Sequence, residues 1–186
     1  MTRIDSVYVL HPVPREYVKS IQAELVREKI PLHPYETGRG PLRQQALYLQ
    51  GRDKDHLGPD VTPDRPFGRT CTFSQAWHSA HQYLCAVDMV FSVDGKWTWA
   101  EPERGMWAKY HEIALKNGMT PLYNRKGDLI EEPHIQLRGV AIDALRRGEY
   151  PAGGDRDWED ALTGFIAEWG DRPGAPPAPH GRPGIG

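Results

Sequence analysis

Ser79-Ala80-His81-Gln82-Tyr83-Leu84-Cys85-Ala86-Val87-Asp88 is the stretch on which the reading of this chain turns, and Glu131-Glu132-Pro133-His134 completes it. Together they supply two imidazoles, one carboxylate and a further carboxylate. Zinc is held by histidine nitrogen and carboxylate oxygen at about 2.0–2.2 Å, and a catalytic site uses three such ligands and keeps one position for water. His81, Asp88 and His134 are the expected metal ligands, with Glu131 beside the open position. The chemistry this set points to is hydrolysis by a water activated on a metal.

The flanking pattern agrees with such a site. Cys85 to Phe91 alternates and is rich in Val, Met and Phe, which predicts a strand. Asp94-Gly95 turns it into a second strand over Lys96–Trp99. On the first strand Asp88 shares a face with Ala86 and Val90, and a carboxylate on a mostly apolar face needs a partner that a metal would provide. A helix is expected over Pro14–Lys29, with Tyr17, Ile21, Leu25 and Val26 at helical spacing and Pro31 and Pro34 as stops. Pro41 to Gln50 predicts a second helix, with Arg39 just before its N-terminal end. Residues 51–72 are rich in Asp, Gly, Pro and Arg and read as a long loop able to wall a substrate groove. Arg104 to Asn117 reads as an amphipathic helix ended by Gly118. A short strand is expected over His134–Leu137, then a helix through Arg147. Trp158, Leu162, Phe165, Ile166 and Trp169 form the apolar stripe of a last helix, Asp157–Trp169, taken as core. A single domain over residues 1–170 follows, and the Pro/Gly-rich stretch 171–186 reads as a disordered tail.

The metal-site residues also carry a resemblance. Ser79, His81, Ala86 and Asp88, followed by Glu131 and His134, resemble the Ser-x-His-x-x-Gly-x-Ala-x-Asp and Glu/Asp-x-x-His signature of the VanY-like zinc D-alanyl-D-alanine carboxypeptidase and L-alanyl-D-glutamate endopeptidase family. That family includes phage endolysins and shares the hedgehog/DD-peptidase fold. The run Thr37-Gly-Arg39-Gly-Pro-Leu-Arg-Gln44-Gln-Ala-Leu47-Tyr48-Leu-Gln50-Gly51-Arg52 is similar to a third family block, and the three come in family order across residues 37–137. There are departures. Leu84 stands for the motif glycine, Gly40 for the serine after the arginine, and Met119-Thr-Pro-Leu-Tyr-Asn124 for a tryptophan-glycine-glycine run.

The resemblance implies an α+β domain in which a small antiparallel sheet carries zinc between helices. It implies a peptidase acting on the peptide stem of peptidoglycan, with the endopeptidase favoured over the carboxypeptidase. It selects Glu131 over Glu132 as general base and His81 over His78 as ligand. It makes Arg39 the residue that stabilises the developing negative charge or pairs with a substrate carboxylate. Ser79, Gln44 and His78 are then residues that orient the site or line its groove. A non-catalytic wall-binding module that keeps its zinc is the competing class, and Glu131 argues against it.

Composition narrows the field further. The chain has 186 residues, a net charge of −2 and 26% charged residues, which does not suit a nucleic-acid binder. No apolar run approaches a membrane span. The start, Met-Thr-Arg-Ile-Asp, has no secretory pattern, so a wall hydrolase of this kind is expected to be made in the cytoplasm and to leave by holin-type release. A monomer is expected. Cys71 and Cys85 form no Cys-x-x-Cys pair and read as small buried apolar residues, with a disulfide as the alternative. His111-Glu112 lacks the second histidine of a His-Glu-x-x-His zinc motif, because Leu115 stands there, so it reads as a polar helix face. His11, His33, His56 and His180 have no motif context.

Overall fold

A computed structural model describes residues 3–52 and 70–179 of the chain. A short strand, β1 (Arg3–Ile4), precedes helix α1 (Pro12–Arg27). His11 caps α1, its Nδ1 accepting from the Val13 N–H at 3.3 Å. The helix starts two residues before Pro14 because Pro12 also suits a first helical turn. Val18, Ile21 and Leu25 form its buried face, while Val26, counted in the expected stripe, is exposed. Then come β2 (Leu32–Glu36), β3 (Gly38–Arg39), α2 (Pro41–Leu49), β4 (Ala86–Val93) and β5 (Lys96–Thr98). The second half holds α3 (Met106–Lys116), β6 (Met119–Tyr123), β7 (Leu129–Leu137), α4 (Ile142–Arg146) and α5 (Arg156–Trp169).

The architecture is α+β: a small antiparallel sheet in the order β2-β4-β7-β6, with β5 also on β4, flanked by helices. β1 and β3 form a separate two-stranded ribbon. Two strands of the larger sheet depart from expectation. β2 lies where Pro31 and Pro34 signalled only a helix stop; it is an edge strand, where a missing proline N–H is tolerated. β6 contains Pro121 and is the opposite edge, and it lengthens the expected His134–Leu137 strand into a hairpin beginning at Leu129. The turn of that hairpin is held by Asn124, whose Oδ1 accepts from the Lys126 and Asp128 N–H groups.

Val87, Met89 and Phe91 of β4 point into the core, with Ile21 and Leu25 of α1 and Tyr110 and Ile113 of α3 in the same cluster. Trp158, Leu162, Phe165 and Trp169 of α5 are buried as well, so the stripe is core. Asp155 caps α5 and takes a two-pronged ion pair from Arg15 at 2.6 and 3.0 Å. The Trp158 indole N–H donates to Tyr83 O at 3.1 Å, tying α5 to the turn that carries His81. Residues 171–179, assigned by composition to a tail, run against the domain: the Trp169 indole N–H donates to Pro173 O, and the Tyr150 hydroxyl to Pro177 O. Residues 180–186 of that stretch, and 53–69 of the loop expected over 51–72, lie outside the described residues.

Leu84, which stands where the resembled motif has glycine, has a backbone unusual for a leucine. It adopts φ 58°, ψ 36°, the left-handed conformation that a glycine takes most easily. Its side chain is fully buried and fills the space beside Gly38, where an added Cβ would lie 2.7 Å from Leu84 Cδ2. The left-handed backbone costs about 1–2 kcal/mol, whereas deleting a buried leucine side chain costs about 2–5 kcal/mol. Burial wins. Leu84→Gly is therefore expected to destabilise the chain by about 2 kcal/mol in denaturant titration, despite relieving the backbone.

Candidate metal centre

Three elements converge on one point. Ser79 starts a 3-10 turn, Ala80–Tyr83, and a reciprocal cap between Ser79 and Gln82 fixes it. His81 sits in that turn. Asp88 lies on β4, and its Cα is paired with that of His134 on β7. His81 Nε2 is 3.1 Å from Asp88 Oδ1 and 3.1 Å from His134 Nδ1, and His134 Nδ1 is 3.0 Å from Asp88 Oδ1. All three residues are buried.

This near-equilateral triangle fits a small cation. His81 Nε2, Asp88 Oδ1 and His134 Nδ1 would hold the ion, as three protein ligands do in a catalytic zinc site that keeps a place for water. His81, Asp88 and His134 are the group of the described residues able to hold a metal ion. The donor set, two imidazole nitrogens and a carboxylate oxygen, suits zinc among other divalent ions.

Surrounding residues orient the ligands. The His134 Nε2–H donates to Gln136 Oε1 at 3.2 Å, which leaves Nδ1 free to ligate. Arg39 donates to Asp88 Oδ2 at 2.9 Å, so Oδ1 is the oxygen left to face a cation. The His111 Nε2–H donates to Glu132 O at 2.7 Å, and the Tyr110 hydroxyl to Pro133 O at 3.3 Å. These two bonds pin β7 just before His134. His111 is buried, not part of a polar helix face, and its spacing gave no signal of this task.

Charge on the ligands follows their surroundings. Burial lowers the His81 pKa against the pull of Asp88, keeping the ring neutral as a ligand must be. Burial would also lower His134, but the hydrogen bond and charge of Asp88 outweigh it and raise its pKa. Burial pushes Asp88 up, and the two histidines reverse this and hold it well below the usual carboxylate range.

The site opens into a cleft of about 110 Å³. Arg39, His78, Ser79 and Glu131 line it with His81 and His134, and Leu122 and Ile142 form apolar walls. Glu131 is exposed as a residue. Within the cleft, desolvation first and the Asp88 charge after it raise its pKa, against His134 and Arg39. His78 is exposed at the rim and is not in the ligand group. No family model matches the chain. No curated protein matches it either.

Arg39 is largely committed within the fold. Four of its five N–H groups go to Glu36, Gln44 and Asp88: two to Glu36 Oε2, one to Gln44 Oε1 at 3.1 Å and one to Asp88 Oδ2. Gln44 in turn donates to Ser74 O at 2.6 Å, joining Arg39 to a cleft-lining segment. Cys71 and Cys85 are both free, and Cys71 is exposed, contrary to the buried reading.

Glu36 was not singled out in the sequence, yet it anchors this network. Burial pushes its pKa up, but Arg39, and to a lesser degree Arg43, win and hold it below its ordinary 4.5. A carboxylate with a depressed folded pKa stabilises above its unfolded value and loses that contribution as pH falls. Glu36→Gln is expected to lower stability by on the order of 3 kcal/mol near neutrality, since it breaks a buried pair. The gap between wild type and variant should close as pH falls from 4.5 downward, measured by denaturant unfolding across pH.

Proposed function

We propose that this chain is a zinc peptidase of the hedgehog/DD-peptidase type that cuts the peptide stem of bacterial peptidoglycan, as an L-alanyl-D-glutamate endopeptidase. The observation that carries the proposal is the meeting of His81, Asp88 and His134 around one point, with Glu131 in the same cleft. The three sequence blocks that resemble the family supply the substrate class. On this reading the chain works at the cell wall as a monomer, after holin-type release.

When bound, zinc supplies a Lewis acid and lowers the pKa of a water towards about 7. Glu131 accepts the proton of the attacking water and returns it to the leaving amine. A carboxylate whose pKa is raised is a better match to working pH than an ordinary one, although a bound dication opposes the rise. Arg39 holds Asp88 and has one remaining N–H for a substrate oxygen, a smaller part than a free arginine clamp would play. Gln136 keeps His134 in its ligating tautomer. Ser79 fixes the turn of His81, and Gln44 fixes Arg39.

Digestion of purified cell walls tests the reading. New N-terminal glutamate supports the endopeptidase, and released D-alanine would reassign the chain to the carboxypeptidase. Zinc binding without cleavage of either bond would leave a wall-binding module. Glu131 weighs against that last class, since a binder has no use for a general base.

A further inference from the structure

The sheet face that carries Asp88 extends well beyond the metal ligands. Side chains alternate along a strand, so Ala86, Asp88, Val90 and Ser92 of β4 share that face. Their cross-strand partners share it too: Glu36 opposite Asp88, His33 opposite Val90, and Trp97 opposite Ser92. Val90 is fully buried yet stands outside the main hydrophobic cluster, so its cover lies on the metal side of the sheet. An aromatic strip lies on that face. The His33 and Trp97 rings meet edge to face at 5.9 Å, and Tyr35 meets Trp99 in the same way at 4.9 Å. The Arg3 guanidinium lies over Tyr35 at 4.3 Å. Trp97 remains 61% exposed and Trp99 50%.

We infer that this aromatic strip binds the glycan strand of peptidoglycan, a polymer of N-acetylated amino sugars, while the attached peptide lies in the metal cleft. The inference rests on the reading of the site as a wall peptidase. A pyranose ring has an apolar C–H face and a polar rim. It matches two partly exposed indoles with a cation and an imidazole beside them. The position fits as well. At about 3.4 Å per residue along β4, Trp97 opposite Ser92 lies about 14 Å from Asp88, and Tyr35, next to Glu36, lies much closer. That interval spans about one to four extended peptide residues. A bond near the sugar end of the stem can therefore reach the metal while the sugars rest on the rings. A self-interface is the poorer match. Two half-exposed indoles offer about 250–300 Å², well under the roughly 800 Å² per partner of a stable pair.

The test is binding of soluble β-1,4-linked N-acetylglucosamine oligomers to the full chain, followed by calorimetry, with hydrolysis of a sugar-free stem peptide measured alongside. Wild type should bind the oligomers saturably, and the double variant Trp97→Ala, Trp99→Ala should bind at least about tenfold more weakly. The double variant Trp97→Phe, Trp99→Phe keeps an aromatic ring at each position and should retain most of the affinity. Sugar-free peptide should be cut equally by all three. No saturable binding by wild type, or equal binding by the alanine variant, overturns the inference. So does a dimer in wild-type protein that the alanine variant loses. Oligomer binding without peptide cleavage would instead sink the peptidase reading and leave the sugar strip standing.

Discussion

Glu131→Gln is expected to retain its zinc and to cut cell walls at least about a hundredfold more slowly than wild type, since general-base catalysis contributes about 10²–10⁴. The carboxyl of Glu131 is not one of the three atoms of the metal triangle, so its loss leaves the ligands in place. The glutamine also fits the fold. Because Glu131 has a raised folded pKa, its ionised form is disfavoured in the folded chain, and that penalty grows as pH rises through the folded value. A neutral glutamine removes it, so the metal-free variant should unfold no earlier than metal-free wild type at neutral pH. Slow turnover then cannot be blamed on unfolding. Glu132→Gln is the control. Glu132 serves the site through its backbone carbonyl, held by His111, and it should cut walls at nearly the wild-type rate. Turnover lost in Glu132→Gln and kept in Glu131→Gln would exchange the two roles.

His134→Ala is the second large effect, and it acts on the metal itself. Removing one of three protein ligands should weaken zinc more than the 10–100-fold typical of losing an orienting partner such as Gln136. Stability reports the same event. A ligand present at about 1,000 times its Kd stabilises the folded state by about 4 kcal/mol. For a domain of this size that corresponds to a change in Tm on the order of 10 °C. Wild type should lose that margin when treated with a chelator. His134→Ala should already lack it and show no chelator response. An equal chelator-induced drop in both proteins would place the cation elsewhere.

The legible parts of the fold were those written in local chemistry. The Asp94-Gly95 turn, the proline at the head of α2 and the α5 stripe each announce their element over a few residues, and each element formed. What stayed hidden depends on neighbours distant in sequence. β2 and β6 contain prolines that local rules count as breakers, and only their edge positions make them acceptable. Leu84 in a left-handed conformation is intelligible once Gly38 is seen to leave room for its side chain. Composition left 171–179 without a core to join, and Trp169 and Tyr150 hold that stretch through its backbone carbonyls.

The site divides in the same way. That His81, Asp88 and His134 come together, with Glu131 in the same cleft, was readable because metal ligation draws on few side-chain types. Glu36, Tyr110, His111 and Gln136 were not, because their task is to hold a neighbour, and many residue types can do that. The role expected of Arg39 shifted for the same reason. Its place beside the site was foreseen, but Glu36, unmarked by any motif, takes two of its N–H groups.

The most direct test of the central claim is metal content per chain, by atomic spectroscopy, for wild type, Glu131→Gln and His134→Ala purified without chelator. The account predicts about one zinc per chain in the first two proteins and under about a tenth of that in the third. Zinc retained by His134→Ala at the wild-type level, or absent from wild type, would contradict it.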